Sequence, residues 1–268
     1  MTTQDRVREE TWRSSIPIQV SIRAPETYDE YTYLLMARRN LFLPCYTPKI
    51  VAYFKRYLAI EDASDDEWWY SHGDMPLQWS RPVGVLYDTL AAGEPVWNIR
   101  IRHSGYPETI LPISNDILTD FWRNQFKEAC YTRDGNANAI MNLARDKSHA
   151  LFVAATDPSA SHRDFWAIAD PLLRPQPLNI PIRIYEPLKM APLRKSMRPF
   201  ESDGEERSLG AVLNLLLPEL FPSARSCSEL VPLVHGVPID LWAPIIELYK
   251  TTMCVDGFLH ITLSTHTA

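Results

Sequence analysis

Residues Ser71–Leu90 read SHGDMPLQWSRPVGVLYDTL, and residues Val234–Thr252 read VHGVPIDLWAPIIELYKTT. Each stretch holds His-Gly, a Pro, an apolar residue, a Trp, a second Pro and Leu-Tyr, in that order. The spacing slips by one residue between Trp79–Pro82 and Trp242–Pro244, a change that loops tolerate. Gly73 and Gly236 suit a tight turn at positive φ. Met75, Leu77 and Trp79 alternate as in a short strand, and Pro82 and Pro244 can each start a short helix. His72 and His235 read as turn residues beside a core Trp, because a catalytic or ligating His needs a partner that neither stretch supplies.

The duplication extends on both sides. IPIQVSI places Ile16, Ile18, Val20 and Ile22 on one face, the alternation of a half-buried strand, and YTYLLM supplies a partner after a polar turn. TPKIVAYFKRYLA follows, with Thr47 as a candidate cap, Pro48 in the first turn, and Ile50, Val51, Phe54 and Leu58 on one helical face. VWNIRIRH closes the block with Trp97, Ile99 and Ile101 alternating. In the second copy NIPIRIY alternates Ile180, Ile182 and Ile184, and MRPF falls at the second strand. SLGAVLNLLLPELF begins at a capping Ser208 and is limited by Pro218, and FLHITL alternates Leu259, Ile261 and Leu263. Matching residues lie 161 to 164 positions apart, as Pro48 does from Leu209 and Ile16 from Ile180. Strand, strand, helix, turn and strand in so short a span imply a mixed sheet with a helix across one face, an order that resembles the ubiquitin-like β-grasp.

Between the copies the period changes from two to that of a helix. NDILTDFWRNQFKEACY carries a broad apolar stripe from Ile117, Leu118, Phe121, Trp122, Phe126, Ala129 and Cys130. At about 100° per residue the stripe centres near Trp122 and Ala129, and Lys127 falls almost opposite. NANAIMNLARDKSHALFVAA predicts a second helix and SASHRDFWAIADPLL a third, capped by Ser161. DGNANA, at 134–139, lacks the alternating acids and distal Glu of a calcium loop and reads as an interhelical turn. So much aromatic surface on three short helices requires packing against the flanking modules. The fold class is therefore α+β: an N-terminal helix (1–14), a first ubiquitin-like module (15–103), a helix-rich region with linkers (104–178) and a second module (179–268). Pro107, Pro112, Pro175 and Pro177 make the connections stiff.

The totals exclude several function classes. Over 268 residues the hydrophobic share is 46%, the charged share 22% and the net charge -6. That balance is globular, and it argues against nucleic-acid binding, which needs basic clusters. No apolar run reaches the roughly eighteen residues of a membrane span, and MTTQDRVREETW has no apolar core for a secretory signal. Cys45, Cys130, Cys227 and Cys254 are scattered without a C-x-x-C pair, which fits free thiols in the cytosol. No metal or cofactor motif is present, nor a phosphate loop or nucleophile elbow.

This sequence resembles the autophagy protein 5 family. The stretches that carry the resemblance are EETWRSSIPIQVSI, PLQWSRPVGVLYDTL, PVWNIRIRH, FWRNQFKEAC, RDFWAI, IPIRIY, MRPF, SLGAVL, VHGVPIDLWAP and FLHITL, in order over nearly the whole chain. The resemblance implies a non-catalytic scaffold joined by an isopeptide bond to a ubiquitin-like modifier, autophagy protein 12. It implies binding to a helix of the coiled-coil protein autophagy protein 16. It further implies, as the conjugate, ligase-like promotion of autophagy protein 8 attachment to phosphatidylethanolamine. The expected location is the cytoplasm and, peripherally, the preautophagosomal membrane.

By the same resemblance the acceptor is Lys127, in QFKEAC, among seven lysines. An acceptor amine must be exposed on a rigid element, and Lys127 opposite an apolar stripe meets that need. The partner helix is expected in a groove lined by both modules and the first helix, where Val7 and Trp12 are candidate contacts, although Trp12 serves equally as internal packing. Arg133, Arg145 and Lys147 are the basic residues of the central region available to a membrane surface. Two rival readings remain: a twin β-grasp binding module that is never conjugated, and an enzyme pairing Cys130 or Cys254 with a histidine. Cys130 lies on the apolar side of its helix, where an inert thiol is expected.

Overall fold

A computed structural model of the chain describes all residues except 1, 24–28, 57–67, 104, 174–175, 188, 190, 226–229 and 266–268. Leu58, Pro175 and Cys227 therefore lie outside the described residues. The element order is α1 (Thr3–Arg13), β1 (Ser15–Arg23), β2 (Glu30–Arg38), α2 (Thr47–Phe54), β3 (Trp69–His72), β4 (Met75–Pro76), α3 (Val83–Leu90) and β5 (Trp97–Arg102). The helical region follows with α4 (Asn115–Asp134), α5 (Asn138–Met141), α6 (Arg145–Thr156) and α7 (His162–Ala169). The second module comprises β6 (Ile180–Tyr185), β7 (Leu193–Met197), α8 (Leu209–Leu216), β8 (Val231–Val234), β9 (Val237–Pro238), α9 (Ile245–Thr252) and β10 (Leu259–Ser264).

The two sheets have one topology: β2-β1-β5-β3-β4 in the first and β7-β6-β10-β8-β9 in the second. In each, the first and last strands pair in parallel at the centre, Val20 opposite Ile99 and Ile261 opposite Ile184. Gly73 (φ +57°) and Gly236 (φ +80°) make the tight β3–β4 and β8–β9 turns, and His235 joins the second at φ +50°. The two repeated stretches thus perform the same backbone task. His72 accepts from the indole N–H of buried Trp97 at 3.2 Å, and the His235 ring N–H donates to the Thr252 carbonyl at 2.8 Å. Burial, with Arg39 and His260 nearby, pushes the His235 pKa down to about 4, so its ring is neutral near pH 7.

Local rules explain most boundaries. The Ser208 hydroxyl accepts from the Ala211 N–H to start α8, and Pro218 follows close after its end. Ser161 and Asp164 form a capping box on α7. Three expectations need correcting. Thr47 does not cap α2: Tyr46 holds that position, and the Thr47 hydroxyl donates to the Leu43 carbonyl and meets the Tyr70 hydroxyl. The helix predicted over NANAIMNLARDKSHALFVAA is two helices, because Ala144 turns extended (φ -54°, ψ 143°) and its carbonyl starts α6. MRPF contributes only Met197 to β7; Phe200 forms an isolated bridge to Glu206.

The copies differ in their surroundings. Every residue of β6 and β10 is buried on both sheet faces. Ile180, Ile182 and Ile184 face their own module, while the alternate positions are covered by α4 and by α3 of the first module. The first sheet keeps an open outer face, with Leu34 and Met36 exposed on its edge strand. The repeated tryptophans diverge likewise. Trp79 is 1% exposed, donates to the Leu111 carbonyl at 2.5 Å and meets Phe121 of α4 edge-on. Trp242 is 58% exposed, its ring touched by the Arg225 guanidinium, so the expectation of a core Trp fails in the second copy.

Arginines close the seams between modules. Arg39, just after β2, is buried against Asp88 of α3 and lies over the turn at Gly236, where a Cβ would come within 2.2 Å of its guanidinium. Burial raises the Asp88 carboxyl above its ordinary value even with Arg39 beside it. Arg8 of α1 holds Asp170 through two bonds of 2.8 Å, donates to the Lys250 carbonyl of α9 and stacks on Trp166. Arg38 donates to the carbonyls of Asp157 and Ala160 after α6.

Two outcomes follow for thermal or denaturant unfolding. Trp79→Ala is expected to cost about 3–5 kcal/mol, whereas Trp242→Ala stays within about 0.5 kcal/mol; similar losses at the two sites would contradict the divergence. Arg39→Met is expected to cost about 3–5 kcal/mol by leaving Asp88 buried and unpaired, and Arg39→Met with Asp88→Leu to recover most of it. A double variant no more stable than the single one would show that the pair itself, rather than the orphaned charge, holds the seam.

Candidate functional site

The central helix α4 is the longest in the described chain and is fixed at both ends. The Ser114 hydroxyl accepts from the Ile117 N–H, and Asp116 sits favourably in the first turn. Gly135, at φ +76°, ends the helix in the left-handed conformation. Leu118, Trp122, Phe126, Ala129 and Cys130 form its buried face. The Trp122 indole donates to the Val255 carbonyl at 2.9 Å, and Ala129 lies so close to Gly257 that a Cβ there would stand 2.7 Å away. The helix is thereby pressed against the loop that leads into β10.

Lys127 projects from the opposite side and is exposed, as the apolar stripe requires. Its side chain lines a hollow of about 690 Å³ between α4 and the α5–α6 segment, together with Arg123, Met141, Arg145, Asp146 and His149. The rim carries three permanent cations and one carboxylate, so it is electropositive. Met141 is 66% exposed and gives the rim an apolar edge. Glu128 turns away from Lys127 toward the second module, where Arg183 Nη2 lies 3.5 Å from its carboxylate.

The other expected site residues divide. Arg145 and Lys147 are exposed on α6, on the same side of the region as Lys127 for Arg145, which shares the hollow. Arg133 is not available to a membrane: it is 1% exposed, its guanidinium bonded to Asp134 at 2.6 and 3.0 Å and to the Leu172 carbonyl at 2.7 Å. The returning chain at Leu178 and Asn179 donates to its backbone carbonyl and helps to cover it. Trp12 is buried, donates to the Ala160 carbonyl at 2.9 Å and packs on Phe165, so it is internal packing. Val7 is half-buried. A second hollow, about 670 Å³, lies beside α1 and is lined by Glu9, Arg13, Met36, Arg38 and His162, together with the largely buried Trp12.

The three described thiols are poor nucleophiles. Burial pushes Cys130 up to about 11 and Cys45 to about 12, and places Cys254 well above the ordinary thiol value. Cys254, Asp256 and His260 have donor atoms within 4.8 Å of one another, a spacing compatible with a metal. Their atoms are already engaged: the thiol with the Asn40 carbonyl, and the two His260 nitrogens with Asp256 and the Tyr185 hydroxyl. The cation Arg183 also stands 3.5 Å from Asp256, which disfavours a second cation. Sequence reading missed this cluster and the basic hollow, since both assemble from distant segments.

Comparison with known proteins accounts for the whole arrangement. Family profiles described as "Autophagy protein ATG5, UblA domain", "alpha-helical bundle region" and "UblB domain" match residues 11–103, 115–175 and 179–263. The chain is 34% identical to Autophagy protein 5 of Pichia angusta over 245 residues, covering 87% of this chain and 86% of that protein. It is 29% identical to Autophagy protein 5 of Neosartorya fischeri over 309 residues, covering 96% and 94%. Among solved structures, the crystal structure of Kluyveromyces marxianus Atg5 superposes with a TM-score of 0.81 at 24% identity, over 96% of this chain and 99% of that one, and so shares its fold. Three successive profiles, in the order of the two sheets and the helices between them, leave one conclusion: the chain belongs to the autophagy protein 5 family.

Proposed function

We propose that this chain is an autophagy scaffold that accepts the ubiquitin-like modifier autophagy protein 12 on Lys127. The observation that carries the reading is the exposed Lys127 on a helix whose opposite face is locked into the core. The reaction needs an amine held at fixed height and azimuth before an incoming thioester. The neutral amine attacks the thioester carbonyl carbon; the isopeptide C–N bond forms and the C–S bond breaks. The conjugating enzyme's thiolate leaves, and the proton shed by the amine passes to solvent or to that enzyme's base. The scaffold contributes placement, and the desolvated thiols of Cys45, Cys130 and Cys254 support a chain that is non-catalytic alone.

The same reading assigns a helix of autophagy protein 16 to the groove beside α1. The hollow there offers Met36 and the stems of Arg13 and Arg38 to apolar anchors, with Trp12 of α1 on its lining. As the conjugate, the assembly would promote attachment of autophagy protein 8 to phosphatidylethanolamine, working in the cytoplasm and at the preautophagosomal membrane. Arg145 and Lys147 would face anionic lipid.

With the modifier, its activating and conjugating enzymes and ATP, a single adduct at Lys127 is expected by peptide mapping, absent in Lys127→Arg. Adducts spread over several lysines, or persisting in the variant, would sink the acceptor assignment. Arg145→Glu with Lys147→Glu should lower co-sedimentation with phosphatidylserine vesicles at least about fivefold, each basic residue near the surface being worth roughly 1 kcal/mol. Unchanged co-sedimentation would remove α6 from the membrane face.

A further inference from the structure

We propose that Arg183 is a positioning residue for the acceptor amine, clamping Gln125 and Glu128, which flank Lys127 on α4, to the second sheet. The inference rests on Lys127 being the acceptor, as proposed above. Arg183 lies on β6, paired with His260 of β10, and points to the side of the sheet covered by α4. Its side chain is 4% exposed. Nη2 donates to the Gln125 side-chain oxygen and stands 3.5 Å from Glu128 Oε2; Nη1 stands 3.5 Å from Asp256 Oδ2. The guanidinium plane lies over the Phe258 ring at 3.7 Å.

Each partner has its own anchor. Asp256 is fully buried and bonded to His260 at 3.0 Å, and His260 to the Tyr185 hydroxyl at 2.9 Å. Burial would raise the Asp256 carboxyl, but His260 and Arg183 outweigh it and hold it below the ordinary value, so it stays a carboxylate. A buried anion thus fixes one end of the fork, and the other end grips two residues three apart on one side of α4. Side chains at i and i+1 of a helix point about 100° apart. Holding Gln125 and Glu128 toward the sheet therefore sets the rotation of α4 and aims Lys127 out over the hollow. The apolar face alone fixes the depth of the helix; polar bonds at a fork are directional and limit its roll.

Arginine is needed because one planar fork must bond Gln125 while holding its charge 3.5 Å from both Glu128 and Asp256. A lysine would keep a charge beside Asp256 but could not also span Gln125 and Glu128. Arg183→Lys is thus the informative change, with Gln125→Ala plus Glu128→Ala as the same lesion made from the half-exposed helix side.

The test is single-turnover transfer from the thioester-charged conjugating enzyme to the full chain, across acceptor concentrations. Both variants are expected to lower the maximal rate at least about tenfold with an unchanged half-saturating concentration, since small misplacements of a reacting group cost that much or more. The three changes combined should be no worse than either alone. A role in stability only would instead raise the half-saturating concentration by depleting folded acceptor, and that outcome would overturn the proposal. So would a maximal rate within twofold of the parent. If Arg183→Lys fails to fold, the helix-side pair decides alone. Conjugation that survives Lys127→Arg would overturn the acceptor reading itself, whereas its loss there alongside unchanged Arg183→Lys kinetics would overturn only the clamp.

Discussion

Burying a guanidinium is costly unless acceptors meet its charge, and this molecule sets buried arginines against carboxylates or carbonyls at its seams. Arg39 is the central instance. It sits where the first sheet's second strand, α3 and the turn at Gly236 converge, with its guanidinium in the space that a side chain at 236 would take. Desolvation makes such a pair a weak contributor to stability, as the raised Asp88 carboxyl indicates. What it supplies is geometry: Asp88 of the same module holds Arg39 at the place where the second module's turn at Gly236 meets it. Arg8 and Arg38 repeat the logic toward the helical region, so the three modules lock through polar contacts of defined direction.

The modules themselves were legible in the sequence because their signals are short-range. Alternation in IPIQVSI and IPIRIY, glycines at two positive-φ turns and Ser208 at a helix start are each decided within a few residues. The seams were not legible for the opposite reason. Arg133 in the last turn of a helix looks like a solvated cation complementing the helix dipole, and it is the distant Leu172 carbonyl and the chain returning at Leu178 that bury it. Trp242 looks like Trp79, but α4 covers the first module's Trp, whereas the second has the Arg225 guanidinium over its ring and stays mostly exposed.

The site shows the same division. The azimuth of Lys127 follows from the stripe opposite it, which any helical wheel displays. The basic hollow around it comes from α6 turning away from α5 at an extended Ala144, and no local pattern announces that bend. The contrast between the sheets has the same origin. Polar residues at alternate positions of β10, such as His260 and Thr262, suggest a wet face, yet they are buried because α3 of the first module lies over them.

The place of β10 in its sheet also bears on how the chain is made. It is the last strand in sequence but the middle one in space, with β6 on one side and β8 on the other. While a ribosome is still adding residues before Leu259, β6 and β8 have no neighbour to join them, and α3 and α4 have no completed surface to rest on. The first sheet can close as soon as β5 emerges; the second, with the helices that lean on it, must wait until Ser264 clears the exit tunnel. A long nascent intermediate, one module finished and the rest unsatisfied, is therefore built into the order of the strands.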